Sequence, residues 1–335
     1  MKKIIIFSFI FASLLFACKK KNKFNINVEN INVKLKIQRF DIDFFNLSSD
    51  SLMYQIPKLE KKYGDFFNIY NSQLIGIGLP DQKNYYKNLE DFLYYCNQMD
   101  LANKVWKVFP KNDTYIKNSL TNAFKHYKYY FPQKNIPKII TVISGFNVSV
   151  FTGQNFIGIS LDKYLGKNFK PYKAMFEQYL YRRMTKNMIP VDVMKALCVQ
   201  QFPFNDSINT VLTNMIYQGK IQYFLDAMLP NTPDTLKWGY TTQQWGWANK
   251  YESKIWDFMV SEKILFSNKS LDIKTYTAEA PFTTPFKNNS APRSGSFIGY
   301  KIIQAYMKNN KNITLQQLMK ENDYMKIYNN SYYQP

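Results

Sequence analysis

Apolar side chains recur at helical spacing through Ile208–Leu229, at Ile208, Val211, Leu212, Met215, Ile216, Ile221, Phe224, Leu225 and Met228. Their spread around the helix is wider than a surface helix needs, which predicts a central helix with neighbours on several sides. Asp206 or Ser207 offers a capping oxygen at its start, and Pro230 stops it. Gly219 falls mid-helix, where glycine costs about 1 kcal/mol relative to alanine. A close backbone approach there, by a neighbouring helix or by a ligand, would account for it.

Upstream, Val33–Phe40 alternates and predicts a strand with Val33, Leu35 and Ile37 inward. Helical periods follow at Leu52–Tyr63, Asn84–Met99 and Tyr115–Tyr130, with Pro110 and Pro132 as punctuation. Lys138–Ser144 is a β-branched run suited to a strand buried on both faces. Val148–Phe151 and Phe156–Leu161 make a candidate hairpin through Thr152–Asn155. Beyond it, Pro171 opens a helix reaching Met184, and Pro190–Val199 is another. Thr241 and Gln244 form a capping box for Trp245–Leu265. Tyr276–Ser296 reads as a long loop, and helices Phe297–Lys308 and Leu315–Tyr328 close the chain. A few strands among many helices predict an α+β fold, predominantly α-helical with a small β-sheet, in one globular domain over residues 31–335.

Ahead of that body, residues 1–17 have the make-up of a signal peptide. Lys2 and Lys3 precede an apolar stretch, Ile4–Phe16, that is too short to span a bilayer comfortably. Leu15-Phe16-Ala17-Cys18 then follows the lipobox pattern of bacterial lipoproteins, although Phe16 is bulkier than the usual residue. An acylated Cys18 would be a stable membrane anchor, since each buried CH₂ contributes about 0.8 kcal/mol. An ordinary cleaved signal or an uncleaved anchor are the alternatives. Residues 18–30 read as the tether, and no second apolar run of spanning length follows.

The formal charge is +20, of which Lys2 and Lys3 would leave with the signal. A basic chain attracts nucleic acid, anionic lipid or acidic wall polymers. No nucleic-acid-reading motif accompanies this charge, and the lysines are dispersed as in a compositional bias, so no nucleic-acid partner is expected. Cys96 and Cys198 both lie in apolar helical patterns. They either pair in an oxidising compartment or remain buried thiols.

The most informative chemical feature is a shortage. His126 is the only histidine, so an H-E-x-x-H zinc site, which needs two, cannot be built. No G-x-S-x-G elbow, phosphate-binding loop or dinucleotide fingerprint is present. No catalytic residue, metal ligand or cofactor is therefore assigned. Carboxylates at Asp162, Glu177, Asp192, Asp226 and Glu252 leave a two-carboxylate hydrolase open. Arg182-Arg183 stands out in a chain whose basic residues are nearly all lysine. The pair suits either a clamp on carboxylate or phosphate, or an ion pair with Glu177 or Asp226 beside a solvated partner.

Several longer motifs occur in one order behind the lipobox: Arg39-Phe40-Asp41, Ile143-Ser144-Gly145-Phe146, Ile157-Gly158-Ile159-Ser160-Leu161-Asp162 and Tyr181-Arg182-Arg183-Met184. Met215-Ile216-Tyr217-Gln218-Gly219-Lys220 and Tyr223-Phe224-Leu225-Asp226-Ala227-Met228-Leu229-Pro230 continue the series. With them the chain resembles, over nearly its whole length, the gliding-motility lipoprotein GldB family of Bacteroidota. The resemblance implies a lipid-anchored protein supporting gliding motility or the associated secretion machinery through protein contacts, without catalysis. An envelope hydrolase acting on peptide or glycan is the alternative. The absence of an acidic cluster after Cys18 points to the periplasmic face, with the outer membrane's inner leaflet favoured over the inner membrane.

The family pattern has glutamate where Gln218 stands. The same block resembles a degenerate zincin-like (metallopeptidase-like) layout. In that overlay Phe176–Leu180 takes the place of the active-site helix, keeping Glu177 but neither histidine, and Gln218 removes the third ligand. What would remain is a metal-free candidate pocket of Glu177, Arg182, Arg183, Gln218 and Gly219.

Overall fold

The computed structural model describes residues 22–335, so the signal segment and Cys18 lie outside the described residues. Four strands, β1 (Ile37–Arg39), β2 (Lys138–Val142), β3 (Val150–Thr152) and β4 (Phe156–Ser160), make one sheet in the order β1-β2-β4-β3. β2 is parallel to both neighbours, while β3 is an antiparallel edge strand with Val150 opposite Ile159. The expected hairpin is therefore β3–β4, and β2 pairs beyond it. Ile139, Ile157 and Ile159 face one apolar core, and Ile140, Val142 and Phe156 face another. Alternation with both faces apolar is what makes Lys138–Ser144 read as a continuous apolar run.

Against one face pack Phe40–Phe45, Leu52–Tyr63, residues 65–74 and Tyr85–Gln98, through an aromatic cluster centred on Phe40. Against the other lie Thr114–Tyr130, Ile189–Gln201, the central helix Val211–Met228 and the helix Ser294–Asn309. The fold is α+β and mostly helical. No described helix is long and apolar enough to cross a membrane.

The central helix is buried nearly all round, with neighbours on several sides. It starts later than the apolar period suggested. Thr210 is the cap: its hydroxyl accepts from the Thr213 amide, and the Thr213 hydroxyl accepts from the Thr210 amide at 2.9 Å. Ile208 precedes the helix and is 57% exposed. Gly219 meets Gly299 of the helix Ser294–Asn309. A Cβ on Gly219 would overlap the Gly299 carbonyl, and one on Gly299 would overlap the carbonyl of Met215. The close approach at Gly219 thus comes from another backbone.

Several predicted elements are shorter than their apolar period. The strand from Val33 keeps only Ile37–Arg39, the residues that pair with β2, and Phe40 already begins a helix. The helix opened by Pro171 breaks into Lys170–Met175 and Gln178–Tyr181, with Phe176 extended at φ −134° and ψ 147°. The Thr241–Gln244 capping box is formed, but its helix breaks at Tyr251 into Thr242–Lys250 and Glu252–Ser261. Leu315–Tyr328 divides into Leu315–Lys320 and Tyr324–Ser331, where Asp323 caps the second piece by accepting from the Lys326 amide. The helices Leu101–Val108 and Ser270–Thr277 were not anticipated. Cys96 and Cys198 are free, buried thiols.

Candidate functional site

The C-terminal ends of β2 and β4 are tied together by Asp162. Its buried carboxylate accepts from the backbone amides of Ser144, at 3.1 Å, and Phe146. Burial lifts its pKa to about 6 in spite of these bonds. The Tyr172 hydroxyl donates to the Asp162 carbonyl and accepts from the Leu165 amide. Next to this knot, the Lys163 ammonium donates to the Phe146 carbonyl and lies 4.0 Å from the Phe176 ring centroid.

The knot forms one wall of a cavity of about 260 Å³, lined further by Ser149, Tyr164, Leu180, Arg183 and Asp192. The Tyr164 hydroxyl donates to Asp192 at 2.8 Å. Arg183 also lines a second, smaller space of about 10 Å³. That space lies between Ile189–Gln201, the central helix and the start of Ser294–Asn309, and its walls include Lys195, Gln218, Gln222, Lys237, Arg293 and Ser296.

A charged lattice joins the two spaces. Arg183 donates to Glu279 at 2.8 Å, and Arg293 stands 3.4 Å from the same carboxylate oxygen. Burial opposes the charge on Glu279, but Arg293, Arg183 and Lys195 outweigh it and hold the carboxyl at about 2. Arg293 also donates to the Trp238 carbonyl and lies over the rings of Trp238 and Tyr240. Gly239 makes room for the lattice. Its φ of +62° favours glycine, and a Cβ there would sit 2.5 Å from Arg183 Nε.

Residues 21–335 match the family model described as gliding motility protein GldB. The chain belongs to the GldB family. Neither a curated protein nor a solved structure matches it. In this GldB chain the motifs that carry the family resemblance fall at structural joints. Arg39 makes a two-pronged pair with Asp41, at 2.9 and 2.7 Å, and Asp41 also accepts from Trp106 and Thr141. Ser144 and Phe146 are gathered by Asp162, and Gly219 lies at the helix crossing.

The candidate pocket read from the GldB sequence is only partly one place. Arg183 and Gln218 line the same small space. Arg182 turns away, donating to the Gly239 carbonyl at 2.8 Å and to Gln244 of the capping box at 2.9 Å. Gly219 is occupied by the helix crossing. Glu177 is exposed and precedes a four-residue helix. The helix that brings side chains to Gln218 is Ile189–Gln201 instead of Phe176–Leu180. The overlay through Glu177 therefore fails on geometry.

The other candidate acids are dispersed. Asp226 is buried against Lys237 and Tyr300, and Glu252 pairs with Lys301 at 2.9 Å. Glu177 and Asp226 share no cleft. His126 is a packed residue whose Nδ1 lies 2.9 Å from the Asn122 carbonyl oxygen. Sequence reading missed Lys195, Glu279 and Arg293. One signal was available: arginine occurs only at Arg39, Arg182, Arg183 and Arg293, and two of these four, Arg183 and Arg293, meet on one carboxylate here.

Proposed function

We propose that this GldB-family protein is a lipoprotein anchored through Cys18 on the periplasmic face of the envelope, in the inner leaflet of the outer membrane in preference to the inner membrane. It supports gliding motility or the associated secretion machinery through protein contacts, without catalysis. The observation that carries the non-catalytic part is the Arg183–Glu279–Arg293 lattice. General acid–base work favours a pKa near the ambient pH. A carboxyl held at about 2 by three cations stays charged and orients its partners instead.

The layout of the neighbouring helix supports the same reading. Val191, Asp192 and Lys195 stand at i, i+1 and i+4, the spacing at which H-E-x-x-H presents its two ligands and its base. Gln218 of the central helix lines the same space as Val191 and Lys195. Lys195 thus takes the place of that pattern's second histidine, a cation where a metal ligand would be needed, which suits a cleft that grips an anionic ligand.

Anchoring is tested by labelling with a palmitate analogue. Cys18→Ser should abolish the label, and equal labelling of both proteins would sink the idea. Protease added to intact cells should leave the protein uncut if it faces the periplasm. Capture of envelope motility or secretion proteins by the tethered chain, lost when the cleft is altered, tests the contact role.

One observation favours the second reading, an envelope hydrolase. Burial raises the Asp192 carboxyl above its ordinary value, against the pull of Arg183, and Asp192 lines the larger cavity. Turnover of wall glycan or peptide fragments by the purified protein, abolished in Asp192→Asn, would reverse the ranking.

A further inference from the structure

The small space between the helices is lined by polar atoms that have no partner. Gln222 Nε2, Arg293 Nε and Ser296 Oγ are all buried and form no hydrogen bond among the described residues. Their residues are at most 8% exposed. All three can donate. Lys195 lines the same space, with Arg293, Glu279, Arg183 and Asp192 as its charged neighbours. Lys237, on the same wall, is already paired with Asp226 and Asp234. Among the described residues, Arg183, Lys195 and Arg293 thus have the carboxylates Glu279 and Asp192 to face, and Asp192 already accepts from Tyr164. The site has donors and positive charge to spare.

We propose that this space takes one oxygen of a carboxylate, the end of a ligand whose remainder lies beyond Arg183 in the cavity of about 260 Å³. Guanidinium N–H groups match the two oxygens of a planar carboxylate, and an ammonium adds a point charge. An inner volume of about 10 Å³ has room for about one oxygen-sized atom, which Gln222, Arg293 and Ser296 would then satisfy, while the second oxygen stays at Arg183. Arg183 lines both spaces and holds the junction. The carboxylate is either the chain end of a peptide or a free small acid. The inference deepens the contact role proposed above and rests on it.

The test is calorimetric titration of the whole chain with four probes: a mixed tetrapeptide pool with free carboxyl ends, the same pool amidated, acetate, and inorganic phosphate. The free-ended pool should bind, amidation should weaken it at least tenfold, and acetate should compete. Lys195→Met should weaken it at least tenfold with an unchanged melting temperature. If that variant melts early, Ser296→Ala serves in its place, with a loss of about threefold expected. Acetate binding without any peptide binding assigns the seat to a free small acid. Phosphate bound in preference to acetate, equal binding of the two pools, or no binding by any probe overturns the proposal. Capture of envelope partners that survives Lys195→Met removes this seat from the contact role and leaves that role standing.

Discussion

The two faces of the sheet are packed by opposite means. On the face of Ile140, Val142 and Phe156, volume is filled by rings: Phe40 has Phe44, Tyr63, Phe66, Phe67 and Tyr70 within 6.3 Å, centroid to centroid. The Tyr70 hydroxyl at the centre of this cluster is satisfied by the Ile143 carbonyl at 2.6 Å. On the other side, glycines let helices touch and charges are buried among them. Lys220 donates to the Glu321 carbonyl at 2.6 Å, and burial holds its ammonium down at about 8. The contrast separates two tasks. The aromatic side excludes water and fixes the sheet. On the helical side, the Gly219–Gly299 crossing fixes the spacing of two helices. Gln218 and Gln222 lie within a turn of Gly219, and Ser296 within a turn of Gly299, on the walls of the small cavity.

The largest effect should come from breaking the aromatic side. Phe40 is fully buried, and Phe40→Ala should cost about 3–5 kcal/mol. Denaturant unfolding measures it. A loss below about 1 kcal/mol would mean that the cluster relaxes, and the contrast between the two sides would fall.

Next comes the crossing. Gly299→Ala must push two backbones apart, because its Cβ would overlap the Met215 carbonyl. The expected cost is about 3 kcal/mol, the upper end of overpacking. Gly219→Leu should likewise lower the melting temperature and lose partner binding in parallel. A Gly219→Leu protein that melts normally yet fails to bind would return Gly219 to the ligand side of the argument.

Much of this organisation was legible in the chain. The two-faced strand Lys138–Val142, the hairpin and the central helix follow from apolar period alone, because burial on all sides leaves no other pattern. Element ends were less legible. Thr210 caps the central helix through a threonine three residues on, a pairing less recognisable than the usual serine or threonine with glutamate or glutamine. Phe176 is apolar and in phase, yet it is extended, so the predicted helix is broken there. The site was legible at Arg183 and Gln218. It was not at Glu279 and Arg293, which sit in a stretch read only as loop and reach the cleft through tertiary contacts. Periodicity carries no information about such residues.

A smaller effect should come from the charged lattice, through pH. The folded-state pKa of Glu279 lies below its ordinary 4.5, at about 2. Its contribution to stability is therefore present above pH 4.5 and is lost as the pH falls through about 2. About a third of the side chain is exposed, so solvent screens the gain. Glu279→Gln should flatten the acid limb of the melting-temperature profile between pH 4.5 and 2. An unchanged limb would show that Glu279 does not stabilise the cleft.

The smallest effect on stability should be the sharpest test of what the helical side is for. Lys195 is half-buried, with cations Arg293 and Arg183 and acids Glu279 and Asp192 around it. Burial, then the neighbouring arginines, lower its pKa. A lysine lowered in the folded state is a liability while both states are protonated, and the liability fades as the pH rises toward 10.5. Lys195→Met removes the charge and keeps most of the stem, so at neutral pH the variant should be as stable as the parent, or more stable by at most about 1 kcal/mol. The gain should shrink in alkaline buffer. Phe40→Ala would lose stability with no selective effect on binding, whereas Lys195→Met would lose binding at no cost to the fold. A melting curve measured from pH 7 to 10 decides it. If Lys195→Met instead destabilises the protein throughout that range, the ammonium is a structural tie of the lattice, and the two sides of the sheet differ in composition but not in task.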